Sequence, residues 1–353
     1  MTDDFLHLRV VRIVAETADA NSYFLEPTDE QPVFYRAGQF LTLLLMHRNG
    51  GPNVHEVRRS YSLSSSPDEE LLRLTIKRVQ NGDISRYLHD TLRIGDVLTS
   101  LQPAGRFTLD ENHTGDVVLM GAGSGITPLF ALVKHILRTD TNQRVTLLYS
   151  NSDERSIIFR DELDSLQHQF PERFRLLYLL SNPSDDWNGW RGRLNNVMLE
   201  RVLPQLVGAS NRDPIQFYVC GPGDYMRTVQ FTLIFSGFRP DQIRRENFVI
   251  EPIFVASPPA LSQDRTVLLR FRGQEVEIQV PAYKSILQAA LDEGLVLPYS
   301  CRGGRCSTCA ARCLSGGVHM TINDVLTERD LADGWVLTCT GYPETDGVMI
   351  EIQ

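Results

Sequence analysis

No stretch of this chain approaches the roughly 18 consecutive apolar residues that a membrane span requires. No transmembrane helix is therefore expected. The start, Met1-Thr2-Asp3-Asp4-Phe5-Leu6-His7-Leu8-Arg9-Val10, lacks a basic segment followed by an apolar one. That argues against a secretory signal and for a cytoplasmic protein. Basic charge is in deficit: 35 Lys and Arg stand against 44 Asp and Glu, a formal net charge of −9. Nucleic acid is not expected as a partner, because that binding is driven by cations neutralising phosphates. Internal repeats and low-complexity tracts are lacking. Cysteine is sparse, six in 353 residues, and five of the six lie between Cys301 and the end. Such clustering in a large chain points to metal binding or catalysis rather than to a disulfide framework.

The hydrophobic share, 42%, and the charged share, 22%, are ordinary for a chain with a buried core. At about 100–200 residues per domain, two or three domains are expected. Composition divides the chain into zones, here taken as 1–110, 111–252, a linker at 253–264, and 265–353. The first has short alternating runs such as Leu72–Lys77, with turns at Asn81-Gly82-Asp83 and Ile94-Gly95-Asp96. It reads as an all-β sandwich or barrel. The second has apolar runs at 117–120, 145–149, 176–180 and 217–219, separated by helix-length segments such as Pro128 to Arg138. Buried strands alternating with helices argue for a parallel α/β sheet. Ala256-Ser257-Pro258-Pro259-Ala260-Leu261-Ser262-Gln263 has the composition of a linker. In the last zone, Val267–Phe271 and Val276–Val280 flank a turn at Arg272-Gly273-Gln274. Ser285 and Gly294 suit the cap and stop of a helix, and Val348–Ile352 reads as a closing strand.

The cysteines carry the sharpest signal. Cys301-x4-Cys306-x2-Cys309, completed by the distant Cys339, is the spacing of plant-type 2Fe-2S centres. Two irons need four converging thiolates, and a tight loop can deliver three. Gly303 and Gly304 let that loop turn its N–H groups toward sulfur. The competing reading is a four-cysteine zinc site in an interaction protein, but zinc ligands usually come as paired knuckles. Cys313 is left over and is expected to be a buried free thiol. The run Tyr299–Cys309, with Leu337-Thr338-Cys339-Thr340-Gly341-Tyr342-Pro343, resembles a plant-type ferredoxin domain. The resemblance implies an α+β β-grasp fold. Relatives often have glycine where this chain has Ser307.

Three further blocks stand in order: Tyr35-Arg36-Ala37-Gly38-Gln39-Phe40, then Arg59-Ser60-Tyr61-Ser62, then Ile76-Lys77 through Gly82, Ile84 and Ser85. Together they resemble the flavin-binding antiparallel β-barrel of the ferredoxin–NADP reductase superfamily. The resemblance implies that Arg59 serves a pyrophosphate, that Tyr61 faces the flavin, that Ser62 bonds near its reactive nitrogen, and that Gly82–Ser85 cradle phosphate. FAD is expected, although some fused relatives use FMN.

Val117–Met120 runs into Gly121-Ala122-Gly123-Ser124-Gly125-Ile126-Thr127-Pro128. A strand, a glycine-rich turn and a helix start present free N–H groups to phosphate. Further on lies Cys220-Gly221-Pro222, with Met226 after it. In the resembled superfamily this block faces the nicotinamide, so Cys220 and Ser62 are the candidate residues at the reacting atoms. Phe248 is the candidate aromatic against the flavin. No acid–base dyad is expected on the hydride path. Asp153 and Glu154 beside a lone Arg155, and Asn182 after Ser181, favour NADH, whereas Arg191 and Arg193 keep NADPH open.

The order of flavin, nucleotide and ferredoxin blocks resembles the reductase components of bacterial multicomponent oxygenases, especially the 3-ketosteroid 9α-hydroxylase and phenylacetyl-CoA epoxidase types. It implies an NAD(P)H-oxidising flavoprotein that reduces an oxygenase component, Rieske or di-iron. Alternatives are a reductase for another soluble electron carrier and a stand-alone reductase of flavin or another small molecule. The C-terminal cluster argues against the last, which needs no one-electron relay.

Overall fold

The computed structural model describes residues 5–47, 54–80, 82–110, 113–139, 142–208, 214–248 and 263–352. The expected linker lies outside the described residues except at its last two positions, as does Asn81 of the expected turn. Two compact units are formed, Met1–Glu246 and Asn247–Gln353.

The first unit opens with β1 (Phe5–Thr17), β2 (Ala20–Pro27), β3 (Phe40–His47), β4 (His55–Ser62), β5 (Leu72–Lys77), α1 (Asp83–Thr91) and β6 (Val97–Leu101). The strands pair antiparallel in the order β4-β3-β6-β1-β2-β5. Leu41, Leu43 and Leu45 of β3 join Leu72, Leu74 and Ile76 of β5 in one apolar core. On the opposite face of β5, Thr75 meets Ser22 and Ser64 hydroxyls at 2.8 Å each. The all-β expectation for this zone missed α1. Its Ile84 and Leu88, four residues apart, are buried in the barrel core, which fits one face of a helix.

The same unit continues with β7 (Val117–Ala122), α2 (Ile126–Arg138), β8 (Val145–Asn151), α3 (Arg160–Gln169), β9 (Phe174–Leu180), β10 (Trp190–Arg191), α4 (Asn196–Val207), β11 (Gln216–Cys220), α5 (Gly223–Phe235) and β12 (Ile243–Glu246). The sheet is parallel, ordered β10-β9-β8-β7-β11-β12. Helices α2 and α3 cover one face and α4 and α5 the other. Burial on both faces is why these strands read as unbroken apolar runs. From β7 the chain winds outward to β10, then returns to β11 on the other side. Ligands bind at such a switch point, beyond the carboxyl ends of the strands. One corner is strained. Phe159, 2% exposed, precedes α3 with φ of 62°. A left-handed backbone costs about 1–2 kcal/mol for a residue with a side chain. Phe159 is pinned by stacking on Phe130, ring centroids 4.3 Å apart.

The second unit contains β13 (Arg265–Phe271), β14 (Gln274–Val280), α6 (Ile286–Asp292), β15 (Ala310–Ser315), β16 (Val318–Met320), α7 (Glu328–Ala332), β17 (Trp335–Leu337), β18 (Gly341–Pro343) and β19 (Val348–Ile352). The main sheet is ordered β14-β13-β19-β15-β17, with β13 and β19 parallel. Arg272 and Gly273, at φ 54° and 73°, make the tight β13–β14 turn. Ser285 accepts from Gln288 N and starts α6, whose Ile286, Leu287, Ala289 and Ala290 pack on the sheet's apolar core. This is the expected sheet folded about a helix. Among the described residues, no helix is long and apolar enough to cross a membrane.

Candidate functional site

Strand β4 brings Arg59 to Ser62 to the rim of the barrel, with Ser62 opposite Phe40. Thr42 and Ser60 hydroxyls lie 3.0 Å apart. Tyr61 packs against the barrel core, and burial pushes its phenol well up. Gly82 precedes α1 and offers no side-chain cap to its first-turn N–H groups. The Ser85 hydroxyl is engaged locally, accepting from Val79 N at 3.1 Å and donating to Gly82 O at 3.3 Å. Ile76 is a core residue, 1% exposed. Lys77, one position on, lines a cavity of the nucleotide half and lies 3.4 Å from Asp19.

That cavity, about 560 Å³, opens at the carboxyl ends of β7, β8 and β11. Gly123 lies in its wall at φ 56°, with nothing within 4 Å of where a Cβ would stand. Gly125 is needed for another reason: a Cβ there would lie 2.2 Å from Cys220 O. The two glycine motifs are thus packed backbone to backbone. Gly121 pairs with Cys220 across the sheet. Gly221 lies against Ala122. Thr127 Oγ1 donates to Ser124 O at 3.1 Å and closes the turn, and Pro128 lies in the first turn of α2. Pro222 caps α5, where Met226 is buried. Ser150 Oγ, Asn151 Nδ2 and Tyr225 Oη are buried at the cavity without a hydrogen-bond partner of good geometry, although the Ser150 hydroxyl lies near the Tyr225 phenol and the Asn151 amide near that of Tyr149. A polar ligand would satisfy them, and a dinucleotide fits that donor set. Around the mouth, Glu154 accepts from Ser184 N at 3.1 Å and Ser184 Oγ at 2.6 Å. Arg191 is tied to the carbonyls of Ser184, Asp185 and Trp187. Arg193 lines the cavity.

Flavin strand and nucleotide sheet meet at a residue that sequence reasoning missed. Ser62 Oγ donates to Glu246 Oε2 at 3.1 Å. Glu246 pairs in register with Cys220 across β11 and β12. Burial pushes the Glu246 carboxyl up to about 8, with the Ser62 hydrogen bond opposing. Burial and then Glu246 push the Cys220 thiol up, so it stays a neutral thiol. Ser62 and Glu246 are 184 residues apart, and no local pattern signals their meeting. Phe248 belongs to the second unit and is 38% exposed.

In that unit the cysteine loop turns its amides on sulfur. Gly303 N and Arg305 N point to Cys301 Sγ, and Cys301 N to Cys306 Sγ, each at 3.4 Å. The Cys306 thiol and these N–H groups hold the Cys301 thiol below its usual range. Cys301 associates with Cys306, and Cys309 with Cys339. Two thiol pairs suit two irons, each needing two thiolates. Among the described residues, no three His, Cys, Asp or Glu side chains converge on a single ion position. Cys313 donates instead to Ser315 O at 3.2 Å, and it is half-buried rather than buried. Ser307 has φ of 53°, which explains why a glycine is favoured after the second cysteine. Arg302 is exposed and lies 4.2 Å over the Tyr299 ring, whereas Arg305 Nε is paired with Asp324 at 3.2 Å.

Comparison with known proteins matches residues 7–109 to the oxidoreductase FAD-binding domain, 119–230 to the oxidoreductase NAD-binding domain and 269–344 to the 2Fe-2S iron-sulfur cluster binding domain. The ferredoxin reductase component of 3-ketosteroid-9-alpha-monooxygenase from Mycobacterium tuberculosis is 33% identical over 99% of this chain and 96% of its own. The chain belongs to the oxygenase reductase components. Other members are one component of the 1,2-phenylacetyl-CoA epoxidase from Escherichia coli, 32% identical over 98% of this chain and 97% of its own, and the reductase of the glycine betaine monooxygenase from Chromohalobacter salexigens, 30% identical over 96% and 93%. The solved phthalate dioxygenase reductase shares the fold of the whole reductase, with a TM-score of 0.57 over 99% of this chain and 98% of that one, at 22% identity. The reductase therefore binds FAD, NADH and a 2Fe-2S cluster, and it transfers electrons from the nucleotide through both.

Proposed function

We propose that this reductase serves a separate oxygenase component, of Rieske or di-iron type, in the cytoplasm where NADH is supplied. Bound FAD takes an electron pair as hydride and gives electrons up singly, and the cluster passes them on one at a time. The observation that supports electron transfer from nucleotide to flavin is the buried corner where the flavin strand reaches the nucleotide sheet, Ser62 bonding Glu246 beside Cys220. In this assignment Arg59 holds the pyrophosphate of FAD, Tyr61 faces the flavin, and the Ser62 hydroxyl orients it. Ser60, Ile76, Gly82, Ile84 and Ser85 complete the flavin site. Gly121, Gly123, Ser124, Gly125, Thr127 and Pro128 receive the nucleotide phosphates, and Lys77 is reassigned to that cavity. Cys220, Gly221, Pro222 and Met226 line the nicotinamide end. Glu246 holds its proton on the carboxyl beside Ser62. Cys301, Cys306, Cys309 and Cys339 hold the cluster. The domains run 1–110, 111–252 and 265–353, joined by 253–264.

The named relatives support an oxygenase acceptor: they are components of a 3-ketosteroid monooxygenase, a phenylacetyl-CoA epoxidase and a glycine betaine monooxygenase. Arg302, exposed on the cluster loop, offers a cation to such a partner, in an encounter that is small, transient and weakened by salt. The test is stopped-flow reduction of candidate Rieske and di-iron oxygenases at two ionic strengths, with wild type and Arg302→Ala. The proposal expects one oxygenase to be reduced faster than cytochrome c, more slowly at high salt and with the variant. If none outpaces cytochrome c, the dedicated oxygenase partner is wrong.

A further inference from the structure

Three barrel strands and one helix of the nucleotide half converge on a single buried cation. Arg73, in β5, is 3% exposed. Its guanidinium grips Glu162 on α3 with both prongs, Nη1 to Oε2 at 3.0 Å and Nη2 to Oε1 at 2.8 Å. Nη2 also reaches Glu16 Oε1 on β1 at 2.6 Å, and Nε donates to Ser22 Oγ on β2 at 3.0 Å. The guanidinium lies 4.5 Å over the ring of Phe159, the left-handed residue from which α3 departs. A backbone of that kind persists only where its surroundings over-determine it, and such positions collect near functional sites.

Stability alone explains this node poorly. Buried ion pairs return little beyond the desolvation they cost, and apolar packing often does as well. A two-pronged guanidinium–carboxylate contact fixes direction as well as distance. The elements it fixes both lead to the cavity. Arg73 lies four residues before Lys77 on the same strand, and α3 follows β8, whose end supplies Ser150 and Asn151. Arg73 itself does not line the cavity.

We propose that the Arg73–Glu162–Glu16 node is a positioning device that fixes the angle at which the nucleotide half presents nicotinamide to the flavin held by the barrel. The inference rests on the site assignments proposed above. Hydride transfer needs its reacting atoms aligned at about 3–3.5 Å, and a misplacement of about 1 Å costs on the order of 100-fold in rate.

The test uses the flavin-loaded full chain under anaerobic stopped flow with a series of NADH concentrations. It reads the limiting bleaching rate per bound flavin and the NADH dissociation constant, with the visible circular dichroism of the flavin and the melting temperature measured alongside. Arg73→Lys keeps the charge and loses the fork. Glu162→Gln removes charge at a carboxylate that is 48% exposed, so folding is safer there. The node predicts a limiting rate lower by about 10- to 100-fold in Arg73→Lys, and by a smaller factor in Glu162→Gln, with the NADH dissociation constant within about threefold of wild type. The flavin dichroism should be unchanged. A lower melting temperature with an unchanged limiting rate per flavin would overturn the proposal. Should Arg73→Lys not fold, Glu162→Gln decides by the same criterion. Wild type separates the two readings: if it does not bleach, the site assignments fail, and if it bleaches and the variants match it, the node fails.

Discussion

Glu246 illustrates what a single residue can hide from its sequence. Nothing near position 246 marks it as special, yet folding buries it beside Cys220 and gives it one donor, Ser62. Its carboxyl then keeps its proton up to about pH 8, whereas an unfolded glutamate releases it near 4.5. A raised carboxyl favours the fold fully below the lower value and loses that advantage as pH rises through the upper one. Glu246→Gln cannot titrate and still accepts from Ser62. The variant should therefore gain stability relative to wild type between about pH 4.5 and 8, by roughly a few kcal/mol at the alkaline end. Urea unfolding of both proteins at pH 5 and pH 8 measures it; parallel pH dependence would show that Glu246 is not held protonated. The cluster-binding domain, by contrast, was legible, because Cys301, Cys306, Cys309 and the loop between them form one contiguous motif. Cys313 was placed outside the set by spacing, and its thiol turns to Ser315 O. Cys313→Ser should leave iron and acid-labile sulfide unchanged. Loss of both in that variant would show that the ligand set is misassigned.

At the scale of elements, the parallel strands were readable because two-sided burial writes them as apolar runs. Helix α1 was not, since its buried pair Ile84 and Leu88 sits in a short polar stretch beside a turn-like Asn81-Gly82-Asp83. The glycine-rich turn between β7 and α2 was readable as a strand, turn and helix start. Its packing against β11 was not, because contacts between distant strands leave no mark in either segment. That packing gives Gly125 a specific role. A Cβ at 2.2 Å from Cys220 O must push the turn away from β11. Gly125→Ala should weaken NADH binding about tenfold or more while flavin content stays at the wild-type level, since the turn lies outside the barrel; a shift of that size corresponds to about 1.4 kcal/mol. Titration of the flavin-loaded variant with NADH tests this, and unchanged affinity would mean the turn does not receive the nucleotide.

For the whole molecule, the order of domains carries the function. A carrier of electron pairs and a carrier of single electrons need a flavin between them, and the flavin, nucleotide and cluster segments stand in one chain. That order was legible in the sequence because each domain has its own contiguous motif. The central claim is that one polypeptide passes electrons from NADH through flavin to cluster. The visible spectrum of the purified chain, before and after anaerobic NADH, tests it most directly. The account predicts flavin and iron–sulfur bands that both bleach, and in Cys306→Ser a flavin that still bleaches with no iron–sulfur absorbance beside it. Iron–sulfur bands that stay unbleached in wild type while the flavin is reduced would contradict it.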